Sequence, residues 1–203
     1  MTLTTQHLTL VAFSQGLNHP SGVAVDGSGY VYISDSGNNS IMEWSPETQY
    51  ATPLICSGVF SPQGVAVDEA GNVYIADTSN DAIKEWSLGT QQVMTLVSSG
   101  LSDPEGVAVD GAGNVYIVDD GYSTINEWSP DTQQVTTLVA SGLYMPSGVA
   151  VDGSRNVYIA DFGHHAIKEP GHAAGHYAGL LGGELQFRRS CGRLRERVLR
   201  GFR

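Results

Sequence analysis

A chain of 203 residues with 41% apolar side chains is long enough to bury the core of one ordinary domain. Charged residues make up only 15%, which excludes a disordered polyelectrolyte, and no run approaches the roughly 18 to 20 apolar residues of a spanning helix, so membrane insertion is not expected. The formal charge of −11 opposes nucleic acid as a partner, because its phosphates would be repelled, and the opening MTLTTQHLTLVAF has neither the basic start nor the small-residue cleavage site of a secretory signal.

The charge is unevenly placed. Residues 1–169 carry −16 and residues 170–203 carry +5, a break that marks either a functional basic tail or the joining of two unlike sequences. The first part is periodic: GVAVD begins at Gly22, Gly64, Gly106 and Gly148, 42 residues apart each time.

Taken along the chain, residues 1–17 contain one strand. Thr9-Leu10-Val11-Ala12 followed by Gly16-Leu17 matches Thr137-Leu138-Val139-Ala140 followed by Gly142-Leu143, so the segment reads as an isolated copy of the last strand of a unit. Full units follow over 18–59, 60–101 and 102–143, and a partial one over 144–169. Each full unit holds four short runs of β-branched and aromatic residues, typified by GVAVD, NVYIAD, AIKEW and QVTTLV and separated by Gly, Asn, Asp, Pro and Ser; these are predicted to be strands a, b, c and d of an antiparallel sheet. In strand b of the third unit, Val115 and Ile117 should face one way and Tyr116 and Val118 the other, and apolarity on both sides requires a sheet sandwiched between neighbours. About 40 residues and four strands per unit make a β-propeller blade, with Trp44, Trp86 and Trp128 packing between blades. Residues 5–13 are placed to complete the fourth blade, leaving either a four-bladed ring or an open arc.

The P-x-GVAVD opening, the GNVYIAD core and the D-x-x-N-N type turn before strand c resemble the NHL-repeat family of β-propellers over residues 6–169. The resemblance implies an all-β propeller of four-stranded antiparallel blades. Members commonly close with about six blades, more than this chain can hold at its period, so it implies a truncated parent. It leaves function open, since the family includes enzymes, receptor ectodomains, protein-binding modules and RNA-binding modules. Likeness to bacterial repeat-rich surface and secreted proteins implies an extracellular or cell-surface parent.

Beyond Glu169 the repeat stops, and Pro170 stands where a Trp is due. One reading of the tail is an Arg-rich amphipathic helix for an acidic partner or a membrane surface. The preferred reading is a frameshift. Shifted by one base, codons permitted for Arg189 to Arg193 can encode Gly-Val-Ala-Val-Asp, and those for Gly175 to Gly182 can encode Val-Thr-Thr-Leu-Val-Ser-Ser-Gly, a strand d in its proper place. The coding DNA decides this. Cys191, His172 and His176 lose functional weight with it, leaving Cys56 as a buried or semi-exposed thiol rather than half of a disulfide.

Chain direction puts the nearly uniform a–b and c–d turns on one face and the varied d–a and b–c loops on the other. Uniform turns serve folding, whereas variation confined to one face is what a binding surface shows. The distinctive residues there are His19, Phe60, Asp103, Glu105, Tyr122, Tyr144, Met145, Phe162, His164 and His165. The His164-His165 pair is not expected to hold metal, because adjacent residues seldom converge on one ion. Asp26, Asp68, Asp110 and Asp152, and Asp35, Asp77, Asp119 and Asp161, recur in every unit and read as turn and cap residues, since catalysis needs one constellation rather than a fourfold copy. Strand a should line the central channel with nothing polar but its terminal Asp, and no nucleophile triad, Cys-x-x-Cys or phosphate loop is present.

The expectation is therefore a non-enzymatic scaffold, without cofactor, that binds a protein, peptide or glycan through its variable loop face. Self-association through an exposed end blade is a further possibility. The alternative is a lactonase- or streptogramin-lyase-like enzyme whose catalytic residues lie in missing blades.

Overall fold

The computed structural model describes residues 16–170, so the expected N-terminal strand d and the Arg-rich tail, with its frameshift reading, lie outside the described residues. Fifteen strands form four antiparallel sheets in strict chain order. Blade 1 holds β1 (Pro20–Val25), β2 (Val31–Asp35), β3 (Ser40–Trp44) and β4 (Ala51–Ile55). Blade 2 holds β5 (Val65–Val67), β6 (Val73–Asp77), β7 (Ala82–Ser87) and β8 (Gln92–Val97). Blade 3 holds β9 (Pro104–Val109), β10 (Val115–Asp119), β11 (Thr124–Ser129) and β12 (Gln134–Val139). Blade 4 has β13 (Pro146–Val151), β14 (Val157–Asp161) and β15 (Ala166–Lys168). The a, b, c and d assignments thus hold, and the architecture is an all-β, four-bladed β-propeller.

The turns follow from local chemistry. At the a–b turn of blade 1, Asp26 Oδ1 accepts the amides of Ser28 and Tyr30, both at 2.9 Å, which pulls the chain into the tight reversal that joins β1 to β2. Asp110 and Asp152 repeat the arrangement, adding the side-chain amides of Asn114 and Asn156 at 2.8 Å.

Alternation along strand b builds the core. Val115 and Ile117 join Tyr74, Ile83, Val97 and Leu101 of blade 2, while Tyr116 and Val118 join Val157 and Ile159 of blade 4. The same strand feeds two interfaces because its side chains alternate with period two. Trp86 and Trp128 each pack against the preceding blade, as expected. Consecutive blades touch through strand a and strand b: β1 and β2 reach β5, β5 and β6 reach β9, and β9 and β10 reach β13.

Among the described residues the two end faces are partly uncovered. Val23 and Val25 of blade 1 are 70% and 62% exposed, and Ile167 of blade 4 is 72% exposed although its counterparts Ile41, Ile83 and Ile125 are fully buried. Of the two outcomes left open by the sequence, the described residues form an open arc. One expectation is corrected: Cys56 is exposed, not buried or half-buried. It lies one residue past the end of outermost strand β4, where Ile55 takes the inward position and the next side chain turns to solvent.

Candidate functional site: the variable loop face

The frame of this face is a row of buried carboxylates. Asp35, Asp77, Asp119 and Asp161 close strand b of the four blades and are at most 1% exposed. Each accepts a backbone amide from the loop that enters its own blade: Asn18 to Asp35 at 2.6 Å, Phe60 to Asp77 at 2.6 Å, Ser102 to Asp119 at 3.2 Å and Tyr144 to Asp161 at 2.9 Å. A buried carboxylate is costly unless hydrogen-bonded, so each one clamps its loop in place. The residue after each clamped amide takes a left-handed conformation: His19 (φ 51°), Ser61 (φ 49°), Asp103 (φ 51°) and Met145 (φ 52°).

The b–c loops are equally constrained. One turn of 3-10 helix spans Ser36–Asn38, Thr78–Asn80 and Phe162–His164, and in each case a left-handed residue follows, Asn39, Asp81 or His165. Two of these residues reach the next blade, where Asn39 Oδ1 accepts the Ser61 amide at 2.7 Å and Asp81 Oδ1 the Asp103 amide at 2.9 Å. Loops that differ in sequence are thus held in nearly one backbone form.

The second support of the buried carboxylates is not uniform. Asn38 and Asn80 donate side-chain amides to Asp35 and Asp77 at 2.7 and 2.8 Å, and His164 Nδ1 lies 2.8 Å from Asp161. Lys84 bridges to Asp77 at 2.5 Å, and Lys168 pairs with Asp161. Burial works to raise the Asp161 pKa, but the hydrogen bonds from Lys168, the Tyr144 amide and His164 outweigh it and hold the group at about 2. Blade 3 lacks both devices. Tyr122 replaces the Asn or His, and Asn126, in place of Lys, bonds to Thr137 at 2.8 Å instead. Burial pushes the Asp119 carboxyl up, amides of Tyr122 and Ser102 offset this only in part, and Asp81 and Asp103 add repulsion.

On this frame the predicted contact residues are displayed. Phe60, Tyr122, Tyr144, Met145 and Phe162 are 54%, 62%, 56%, 44% and 62% exposed, and His19, His164 and His165 are exposed as well. The structure brings the blade 4 set together: the rings of Tyr144 and His164 meet edge-on at 5.9 Å and those of Phe162 and His165 at 6.4 Å. Gly163 permits this, since a Cβ there would strike the Tyr144 ring at 2.1 Å. No aromatic contact among the described residues ties His19, Phe60 or Tyr122 into that set. His164 also serves the frame through Asp161, so its ring is half pinned and half displayed.

The sequence reading named Asp103 and Glu105 on this face but missed Asp120, which joins them in a carboxyl cluster at blade 3. Glu105 and Asp120 stand where blade 1 has Ser21 and Ser36, and blade 2 has Gln63 and Thr78. Ser36 and Thr78 donate hydroxyls to the carbonyls of Pro62 and Pro104 in the next blade, at 2.5 and 2.7 Å. Asp120 cannot donate when ionised, and its Oδ1 is buried without a partner. Burial raises the pKa of Glu105, as do the charges of Asp120 and Asp103; burial and Asp103 likewise raise that of Asp120. The signal was present in the 42-residue register, where the position before GVAVD runs Ser, Gln, Glu, Ser.

Comparison with known proteins agrees with this architecture. The NHL repeat model matches residues 17–42, 61–85 and 143–169. No curated protein matches the chain. Among solved structures, a nidogen/laminin complex is similar with 27% identity and a TM-score of 0.65 over 70% of this chain and 56% of that one. A streptogramin B lyase is similar with 12% identity and a TM-score of 0.67 over 77% of this chain and 53% of the other. Virginiamycin B lyase from Staphylococcus aureus is similar with 14% identity and a TM-score of 0.60, over 74% and 54% of the two chains. The chain therefore spans about half the length of the structures it matches, and likeness to the two lyases concerns the fold alone. With the model matched in three blades and the other in the same 42-residue register, this chain is a β-propeller similar to the NHL repeat in three of its four blades.

Proposed function

We propose that the chain is a non-enzymatic scaffold that binds a protein or peptide through its variable loop face. The observation that carries this reading is the pairing of a fixed frame with varied, exposed aromatic side chains. Buried Asp35, Asp77, Asp119 and Asp161 hold the loop backbones, so Phe60, Tyr122, Tyr144 and Phe162 are presented with little ordering left to lose on binding. Rigid aromatics with adaptable polar neighbours supply most of the energy at protein interfaces. The similarity at 27% identity to a structure of a two-protein complex supports a protein ligand over a glycan.

Panning a displayed peptide library on the immobilised chain tests the reading. Peptides selected on the native face should lose affinity by about tenfold or more when His19, Tyr122, Tyr144 and Phe162 are together changed to Ala, a loss on the order of 1.4 kcal/mol. The thermal midpoint should barely move, because the clamping bonds come from backbone amides. Peptides that bind the variant equally well would remove the loop face from consideration.

A further inference from the structure

We infer that Asp120 is a proton-operated latch between blades 3 and 4: as the neutral acid it donates its hydroxyl to the carbonyl of Pro146, and as the carboxylate it leaves that joint without its hydrogen bond. The other two joints show what belongs there. Ser36 of blade 1 donates to the Pro62 carbonyl at 2.5 Å, and Thr78 of blade 2 to the Pro104 carbonyl at 2.7 Å. Each donor follows its strand b Asp by one residue, and each acceptor is the Pro two residues before the GVAVD of the next blade. Asp120 and Pro146 hold the same two places, 42 residues further on. A carboxyl group can stand in for a donating hydroxyl only while it carries its proton.

The joint itself differs where that bond is missing. A Cβ placed on Gly22 would lie 2.3 Å from the Gln63 carbonyl oxygen, and one on Gly64 would lie 2.5 Å from that of Glu105. At the equivalent point between blades 3 and 4, a Cβ on Gly106 would lie 3.3 Å from the Ser147 carbonyl oxygen. The inner strands of blades 3 and 4 thus approach less closely at this level than those of the other two pairs. Oδ1 of Asp120 is buried there with no partner among the described residues, a costly state for an ionised carboxylate.

The charged surroundings favour the neutral form. Asp103, whose carbonyl accepts the Asp120 amide at 3.3 Å, faces it from the loop into β9, and Glu105 from β9 itself. Asp119 precedes it in β10, and Asp81 of blade 2 accepts the Asp103 amide at 2.9 Å. On the blade 4 side, Tyr144 is the one titratable side chain of β13 and the loop entering it; the b–c loop adds His164, bonded to Asp161, and His165. Burial first, and neighbouring carboxylates second, raise both Asp120 and Glu105. A carboxyl whose native pKa lies above its unfolded value gives stability that is complete below the unfolded value and lost as the pH rises through the native one. The latch therefore closes on acidification, in the window just above the ordinary aspartate value of 3.8. Tyr122 follows Asp120 by two residues and Tyr144 precedes Pro146 by two, so closure also tightens the hold on two rings of the loop face. That consequence rests on the proposed binding role, whereas the latch does not.

Carbon-13 NMR of the full chain, following the Asp120 carboxyl and the Pro146 carbonyl from about pH 7.5 to about pH 4, tests the inference. Both resonances should titrate with one midpoint above the ordinary aspartate value, and the Pro146 response should be absent in Asp120→Asn. Thermal unfolding gives a second arm. Asp120→Asn and Asp120→Thr keep a donor at every pH, so at about pH 7 they should melt roughly 2–4 °C above the native chain, with the gap closing as the pH falls. Asp120→Ala removes charge and donor together and should melt below the native chain at about pH 4. A Pro146 carbonyl that does not titrate with Asp120, or that still titrates in Asp120→Asn, would overturn the latch. So would an Asp120→Ala chain as stable as Asp120→Asn at the acid end.

Discussion

At the scale of single residues, the loop face depends on how each blade stabilises one buried carboxylate. Asp77 has Asn80 and Lys84, Asp161 has His164 and Lys168, and Asp119 has neither kind of partner. Lys84 also reaches the carbonyl of Gly58, and Lys168 that of Gly142, so the lysine ties the carboxylate to the loop entering its blade. Asn126 faces Thr137 as Lys84 faces Thr95, which leaves room for the same arrangement in blade 3. Asn126→Lys should therefore stabilise the chain at neutral pH. The gain from a charged hydrogen bond to an under-supported buried carboxylate, after loss of the Thr137 contact, is about 1 kcal/mol, or roughly 2–4 °C in a chain of this size. Thermal unfolding followed by circular dichroism checks it, and an unchanged or lower midpoint would count against this view of Asp119.

At the scale of elements, the glycine that opens GVAVD is set by its neighbour strand and not by its own. A Cβ on Gly64 would lie 2.5 Å from the carbonyl oxygen of Glu105 in the adjacent strand a, whereas one on Gly148 would meet only the Ala160 methyl at an ordinary 3.6 Å. Gly64→Ala should cost about 1–3 kcal/mol, because backbone must move to admit the methyl. Gly148→Ala should stay within about 0.5 kcal/mol. Equal costs in denaturant titrations would show that the approach of successive inner strands does not limit packing. The motif looks the same in all four units, yet a Cβ on Gly22 or Gly64 would meet the next blade's carbonyl oxygen at 2.3 or 2.5 Å, and one on Gly148 would meet no backbone at that range.

At the scale of the whole molecule, stability should follow position in the arc. Strands β6 and β10 are buried at all five residues, while β1 and β15 contain no buried residue. In a repeat array each unit is stabilised mainly by its neighbours, so among the described residues the end blades are held by another blade on one side only. Hydrogen exchange in dilute solution should be slowest in β6 and β10 and fastest in β1 and β15, spanning the range from global to local opening. Uniform protection across the four blades would show that the arc opens as one unit.

Much of this was legible in the amino-acid sequence because it is local. The 42-residue spacing, the four strands per unit, the two faces of strand b and the capping role of the recurring Asp residues follow from side-chain alternation and from short-range bonds such as those of Asp26 with Ser28 and Tyr30. The variable face was legible too, since chain direction alone sorts the loops. What burial decides was not. Ile41 and Ile167 occupy the same place in the repeat and differ by 72% in exposure, because a neighbouring blade covers one and not the other. Asp119 and Asp77 end strands that differ only at Val118 and Ala76, yet only Asp77 meets a lysine. Glu105 and Asp120, 15 positions apart in sequence, repel one another only because adjacent strands bring them to one spot. Sequence by itself determined the blade and its repetition through local bonding and periodicity; tertiary structure decided which carboxylates are compensated and which copies of a repeated apolar position are buried, because desolvation and contact belong to neighbours in space.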